Sequence, residues 1–254
     1  MVLEKSLKIH YIIIKPIFQE LLNERTGFMR ESILTIPVTE IFEPKCGCPI
    51  CTLRDTLESR TVDYIMGAAM MEPDVRIETN KLGFCHVHFE QMRACKNRLS
   101  LALMLQSHLQ HLQSELSKKS LFHGKAAKRK TVSAVNESCF VCSKIEWGMS
   151  RIMRTLFEMY EQQEDFRKLF EQQQMLCLPH YEMLIEMMDE SLDKKLHKRF
   201  SQACADLMNK YLGELEKDVS HFCKMYDYRN TGANADWGNS KDSVERAIKF
   251  LTTR

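Results

Sequence analysis

Four short motifs carry most of the chemistry this sequence can do. Cys48-Pro49-Ile50-Cys51 is followed by Cys85-His86-Val87-His88, and Cys139-Phe140-Val141-Cys142 by Cys177-Leu178-Pro179-His180. A Cys-x-x-Cys turn aims two sulfurs at one point, and a Cys-x-x-His pair adds a third sulfur and an imidazole nitrogen. Zinc binds such a set tetrahedrally, with sulfur at about 2.3 Å and nitrogen at about 2.0 Å. The expected metal ligands are Cys48, Cys51, Cys85, His88, Cys139, Cys142, Cys177 and His180, serving two zinc ions, one per half of the chain. Such a site carries a net charge of about −1, which nearby cations and backbone N–H groups offset. With all four positions filled by protein there is no place for substrate, so the expected role is structural and the metal contributes to folding itself. An iron–sulfur cluster suits the donors less well, because clusters are more often held by four thiolates. Spacing alone leaves open which Cys-x-x-Cys closes with which Cys-x-x-His.

The motifs repeat. The first two are separated by 33 residues, 52–84, and the second two by 34, 143–176, which points to an internal duplication. Helical periodicity surrounds each motif. Leu53, Leu57, Tyr64 and Ile65 follow the first Cys pair; Ile145, Met149, Ile152, Met153, Leu156 and Tyr160 follow the second. Tyr181, Leu184, Ile185, Met188 and Leu192 follow the second Cys-x-x-His. Two longer stripes, Leu101-Leu105-Leu109-Leu112-Leu116 and Phe200-Cys204-Leu207-Tyr211-Leu215-Phe222, read as helix faces packed on one side. The predicted class is therefore all-α: a helical bundle of two duplicated zinc-stapled halves with short irregular or extended loops. The halves are 29–117 and 139–225, joined by a basic linker at 118–138 and followed by a loop and helix at 226–254. Cys46 and His86 are near enough to the first motifs to be alternative ligands, and Cys204 reads as a small core residue. His108, His111, His123, His197 and His221 read as ordinary solvated or hydrogen-bonded histidines.

Composition agrees. Of 254 residues 44% are apolar and 28% charged, with 16 Met but only 9 Gly and 6 Pro, a balance that favours helices. The net charge of +2 is too small to argue for nucleic acid or acidic lipid, and the linker's lysines lack interleaved aromatics, so nucleic acid is disfavoured. Tyr11-Ile12-Ile13-Ile14 is too short for a signal-peptide core, and no run approaches the roughly 18 apolar residues of a membrane span. The expectation is a cytoplasmic protein in which six of the 10 cysteines are metal ligands and the clustering does not reflect disulfides. Cys48-Pro49-Ile50-Cys51 has the look of a thioredoxin-type dithiol, but no strand precedes it in a βαβ pattern.

Longer motifs carry a resemblance. Ile36-Pro37-Val38-Thr39-Glu40, the Cys-Pro-x-Cys, Met71-Glu72-Pro73-Asp74-Val75-Arg76-Ile77-Glu78-Thr79-Asn80-Lys81 leading into Gly83-Phe84-Cys85, Tyr226-Asp227-Tyr228-Arg229-Asn230 and Trp237-Gly238-Asn239-Ser240-Lys241-Asp242 are similar to those of a bacterial family catalogued as domain of unknown function 6062. The resemblance covers roughly residues 30–254 and implies no activity. Family members look as if they begin near Met29, so residues 1–28 are expected to be a non-native N-terminal extension.

Two segments are richer in polar chemistry than a metal staple needs. Val75, Ile77 and Thr79 alternate with Arg76, Glu78 and Asn80 as in a short extended piece, and residues 227–242 read as a loop. After that loop Asp242 and Glu245 have capping-box spacing, with Val244, Ile248 and Leu251 on one helix face. Arg76, Glu78, Asn80, Arg229 and Trp237 are candidates for a surface that binds a small polar ligand or a protein partner. No nucleophile, phosphate loop or carboxylate pair is recognisable, so catalytic residues are not assigned. The expected function is a non-catalytic, zinc-stabilised helical binding or regulatory protein. The alternative is a metalloenzyme or thiol-based redox-responsive protein using one of the three-cysteine, one-histidine sites.

Overall fold

The computed structural model describes residues 35–118, 125–227 and 236–253. Among these residues the chain forms eleven α-helices and one 3-10 turn and contains no strand. The helices are α1 Thr35–Phe42, α2 Pro49–Met66, α3 Pro73–Leu82, α4 His86–Ala94, α5 Arg98–Lys118, α6 Lys125–Asn136, α7 Phe140–Gln162, α8 Glu164–Glu171, α9 Leu178–Ser191, α10 Lys194–Met225 and α11 Ser243–Thr252. No described helix is long and apolar enough to cross a membrane. Two compact units emerge. One is Asp55–Ser150; the other joins the described residues up to Arg54 with those from Arg151 onward. Both boundaries fall inside helices, α2 and α7, so the units do not follow the chain as successive halves.

In the first unit Val62, Ile65, Met66, Val75, Met92, Met104, Phe140 and Ile145 form a buried apolar cluster. Helix α3 lies against α5. The segment expected to be extended, Asp74–Asn80, is the body of α3. Its boundary residues outweigh the two-residue alternation: Pro73 stands in the first turn with Asp74, Lys81 stands in the last, and Gly83 ends the helix at φ 61. The buried positions are then Val75 and Thr79, one turn apart, while Ile77 is exposed. On α5 the buried line is Ser100, Met104 and His108 rather than the leucine stripe, and Leu109 faces out. His108 is held there because its Nδ1 bonds the carbonyl of Asn80 at 2.9 Å. The basic segment expected as a linker contains a helix, α6, on which Arg129 and Lys130 are exposed.

In the second unit the core is aromatic. Phe42 of α1 meets Phe166 and Phe170 of α8, with centroids at 5.3 and 5.8 Å, and Phe200 of α10 meets Tyr160 at 4.8 Å and Phe170 at 5.2 Å. Helix α10 starts at an Asp193 cap whose carboxylate accepts from the Lys195 N–H. It buries Phe200, Cys204, Leu207, Tyr211 and Leu215 as the periodicity requires, whereas Phe222 is only half-buried. Helix α11 departs from expectation at its start. The Asp242 side chain caps no N–H and instead accepts from Arg246 Nε at 2.9 Å. Its buried residues are Ser243 and Phe250, leaving Val244, Ile248 and Leu251 exposed.

Candidate metal centres

All four motifs adopt one local conformation. The first cysteine of each stands just before a helix and its second donor lies in the first turn: Cys48 and Cys51 at α2, Cys85 and His88 at α4, Cys139 and Cys142 at α7, Cys177 and His180 at α9. The first cysteine's carbonyl accepts from the residue four on, in Thr52, Phe89, Ser143 and Tyr181. Positions i and i+3 share a helix face, so both donors of a motif point one way. Cys85 and Cys177 are N-caps whose side chains make no capping hydrogen bond, and each sulfur instead faces the histidine three residues on. Helix N-termini carry partial positive charge and favour thiolates.

The motifs meet in crossed pairs. Cys48 and Cys51 gather with Cys177 and His180 in the second unit, and Cys85 and His88 gather with Cys139 and Cys142 in the first. The expectation of one quartet per half is therefore corrected: each quartet takes one motif from each half. The cause lies in the segments just outside the motifs. Before Cys177, three consecutive glutamines hold the chain that precedes Cys48. Gln172 Oε1 accepts from Lys45 Nζ at 2.5 Å, Gln173 Nε2 donates to the Phe42 carbonyl at 2.8 Å, and Gln174 Oε1 accepts from the Gly47 N–H at 2.6 Å. Before Cys85, the Leu82 carbonyl accepts from Ser138 Oγ at 2.7 Å and the Gly83 carbonyl from the Phe140 N–H at 2.9 Å. None of these polar contacts has a sequence signature beyond a run of glutamines and a glycine at a helix end.

In each quartet the donor atoms lie within 4.8 Å of one another. A tetrahedral ion with the bond lengths of zinc requires sulfur–sulfur edges of about 3.8 Å and sulfur–nitrogen edges of about 3.5 Å. In the first quartet Cys51 Sγ is 3.6 Å from Cys177 Sγ, and His180 Nδ1 is 3.6, 3.4 and 3.0 Å from Cys48, Cys51 and Cys177. In the second, Cys85 Sγ is 3.9 Å from Cys142 Sγ, and His88 Nδ1 is 3.1, 3.2 and 3.5 Å from Cys85, Cys139 and Cys142. Both histidines turn Nδ1 inward. In the second quartet the other ring nitrogen, His88 Nε2, lies 2.8 Å from Glu58 Oε1, a carboxylate–histidine pair of the kind that fixes a ligand's tautomer and raises its basicity.

Electrostatics point the same way. The hydrogen bond with Cys177 holds the Cys48 thiol well below its ordinary value, while hydrogen bonds with Cys177 and Cys48 push Cys51 up. The bond to Cys48 pushes Cys177 up to about 12. In the second quartet burial raises Cys139, but the bond with His88, the backbone N–H groups of Cys142 and Cys85 and the His88 charge together outweigh it and bring the thiol to about 6. Burial and the neighbouring Cys139 charge push Cys142 up to about 12. Burial works against the His88 cation, yet Cys139 and Cys85 carry it to about 9. In each quartet one thiol is thus lowered while a neighbouring thiol is raised, and a divalent cation at the centre would remove that conflict.

The remaining candidates are accounted for separately. Cys46 and His86 belong to neither quartet. Cys204 is fully buried, and burial pushes its thiol far up. Arg76 Nη2 donates to the Leu103 carbonyl at 2.8 Å, Glu78 pairs with the buried Lys144 at 3.0 Å, and Asn80 Oδ1 accepts from Ser107 at 2.8 Å, so these three hold neighbouring helices of the first unit. Trp237 packs with Phe222 and Tyr226 in the second unit, at 5.7 and 5.8 Å. Arg229 lies outside the described residues. In the second unit Asn239 and Arg246 both bond Asp218, and these residues with Tyr211, Glu214 and Lys217 line a cavity of about 430 Å³.

No curated protein and no solved structure matches this chain. The family model covers residues 29–254, all four Cys/His motifs among them: the chain belongs to DUF6062, a family of unknown function.

Proposed function

We propose that this protein is a non-catalytic helical binding or regulatory protein whose two units are each held together by one structural zinc ion. The observation that carries the reading is that at both sites three sulfurs and one nitrogen lie within 4.8 Å of one another, a set compact enough to close a tetrahedron around one zinc ion. The eight donors are Cys48, Cys51, Cys177 and His180 for one ion, and Cys85, His88, Cys139 and Cys142 for the other. Edges of 3.6 and 3.9 Å favour a single ion over an iron–sulfur cluster, whose thiolates surround a body several atoms across. Four protein donors fill a tetrahedral shell, so the ion supplies cross-linking and leaves no position for substrate. The helix start shared by all four motifs, each first cysteine's carbonyl accepting from the residue four on, supports descent from one duplicated unit, the copies having exchanged their Cys-x-x-His arms. All 10 cysteines are free thiols, which suits a reducing compartment such as the cytoplasm. A polar ligand has a place in the cavity walled by Lys217, Asp218 and Arg246.

The test is metal analysis of freshly purified protein with a chelator melt beside it. Two zinc ions per chain and loss of helicity on chelation are expected. A protein that stays folded without bound metal would overturn the proposal.

A further inference from the structure

The two quartets differ in access. Cys48, Cys51, Cys177 and His180 are all buried. In the other quartet His88 and Cys139 are buried, but Cys142 is exposed and Cys85 half-buried, with their sulfurs 3.9 Å apart at the starts of α7 and α4. We propose that Cys142 and Cys85 are a modification site for small two-electron oxidants of the peroxide class, through which the second quartet gives up its metal while the first keeps it. The proposal rests on the reading of the quartets as zinc sites.

When bound, zinc keeps both sulfurs ionised. The Cys142 thiolate, which solvent reaches, attacks one peroxide oxygen; the O–O bond breaks, hydroxide leaves, and the sulfur becomes a sulfenic acid. The Cys85 thiolate then attacks that sulfur, the S–O bond breaks, a second hydroxide leaves, and a disulfide forms. Two thiolates have lost two electrons and one peroxide has become two hydroxides, which solvent then protonates to water. The quartet has lost two of its four donors. The new bond still ties the start of α4 to the start of α7, so the oxidised unit keeps a covalent link where it had a metal one, and a thiol reductant with zinc restores the original state. Cys46 and Cys223 are exposed as well but belong to neither quartet, so their oxidation removes no ligand.

The experiment treats the full chain with limiting hydrogen peroxide, follows zinc release with a chromogenic indicator, and maps thiols by differential alkylation and mass spectrometry. One zinc per chain is expected to leave roughly tenfold or more faster than the other, with a Cys85–Cys142 linkage formed first. Dithiothreitol plus zinc should reverse it. Cys142→Ser should start with one zinc per chain, which leaves only in the slow phase while Cys48, Cys51 and Cys177 stay protected. Release of both ions at one rate, or an earlier linkage within Cys48, Cys51 and Cys177, overturns the proposal and leaves the staple reading standing. Zinc content before oxidation tests the staple reading by itself, and a protein purified without zinc overturns both.

Discussion

The crossed pairing makes a sharp prediction about paired substitutions. Cys48 and Cys177 belong to one quartet, Cys48 and Cys85 to two. Cys48→Ser alone should reduce the metal content from two zinc ions to one. Adding Cys177→Ser should change nothing further, whereas adding Cys85→Ser should leave none. Stability should follow the same pattern. A structural zinc contributes on the order of 10–16 kcal/mol of apparent binding free energy in small zinc-dependent folds, and whole domains are stable by only about 5–15 kcal/mol. Losing one ion should therefore remove most of the stability of its unit. Once Cys48 is gone, Cys177 is a buried thiol with no ion to hold, and its replacement should cost about 1 kcal/mol or less. The Cys48/Cys177 pair should then be strongly non-additive, while Cys48/Cys85 should be close to additive. Elemental analysis gives the metal count, and urea melts followed by circular dichroism give the energies. A Cys48→Ser/Cys177→Ser protein with no zinc, beside a Cys48→Ser/Cys85→Ser protein with one, would refute the geometry in favour of pairing within each half.

Other outcomes follow from single contacts. Glu58→Gln keeps its shape but loses the charge facing His88, so the second quartet should hold zinc about 10–100-fold more weakly in a chelator competition, with the first quartet unchanged. Gly83→Ala forces a Cβ onto a residue at φ 61 and within 3.1 Å of the His108 ring, so a loss of about 1–3 kcal/mol is expected in thermal melts. Lys144→Ala leaves Glu78 facing a buried site without its cation. Because Glu78 is partly exposed, the loss should be about 1–3 kcal/mol, and Lys144→Ala/Glu78→Ala should recover part of it. Equal destabilisation in the single and double variants would show that the pair carries no such penalty.

Legibility in the sequence tracked the range of the interactions. The clustered Cys and His side chains, their i, i+3 spacing, and the buried line from Phe200 to Leu215 are set within a few turns of one helix, and they could be read directly. Residues 74–80 misled because alternating valine, isoleucine and threonine fit a strand, while Pro73 and Gly83 at the two ends fix a helix. The leucines of α5 were outcompeted by His108, whose burial depends on a carbonyl 28 residues away.

What the sequence determined by itself is the donor set and the helix starts that aim it, because capping and side-chain direction are local. What only the tertiary structure decided is the partner of each motif. All four possible unions of a Cys-x-x-Cys with a Cys-x-x-His offer a metal the same three sulfurs and one nitrogen. Closing loops of 33 and 34 residues rather than motifs 126 and 51 positions apart favours pairing within a half by only about 1–2 kcal/mol, since loop entropy grows with the logarithm of length. Burying one large aromatic side chain is worth about as much. The glutamines before Cys177, the Gly83 and Leu82 carbonyls and the aromatic core around Phe42 and Phe170 therefore decide the pairing.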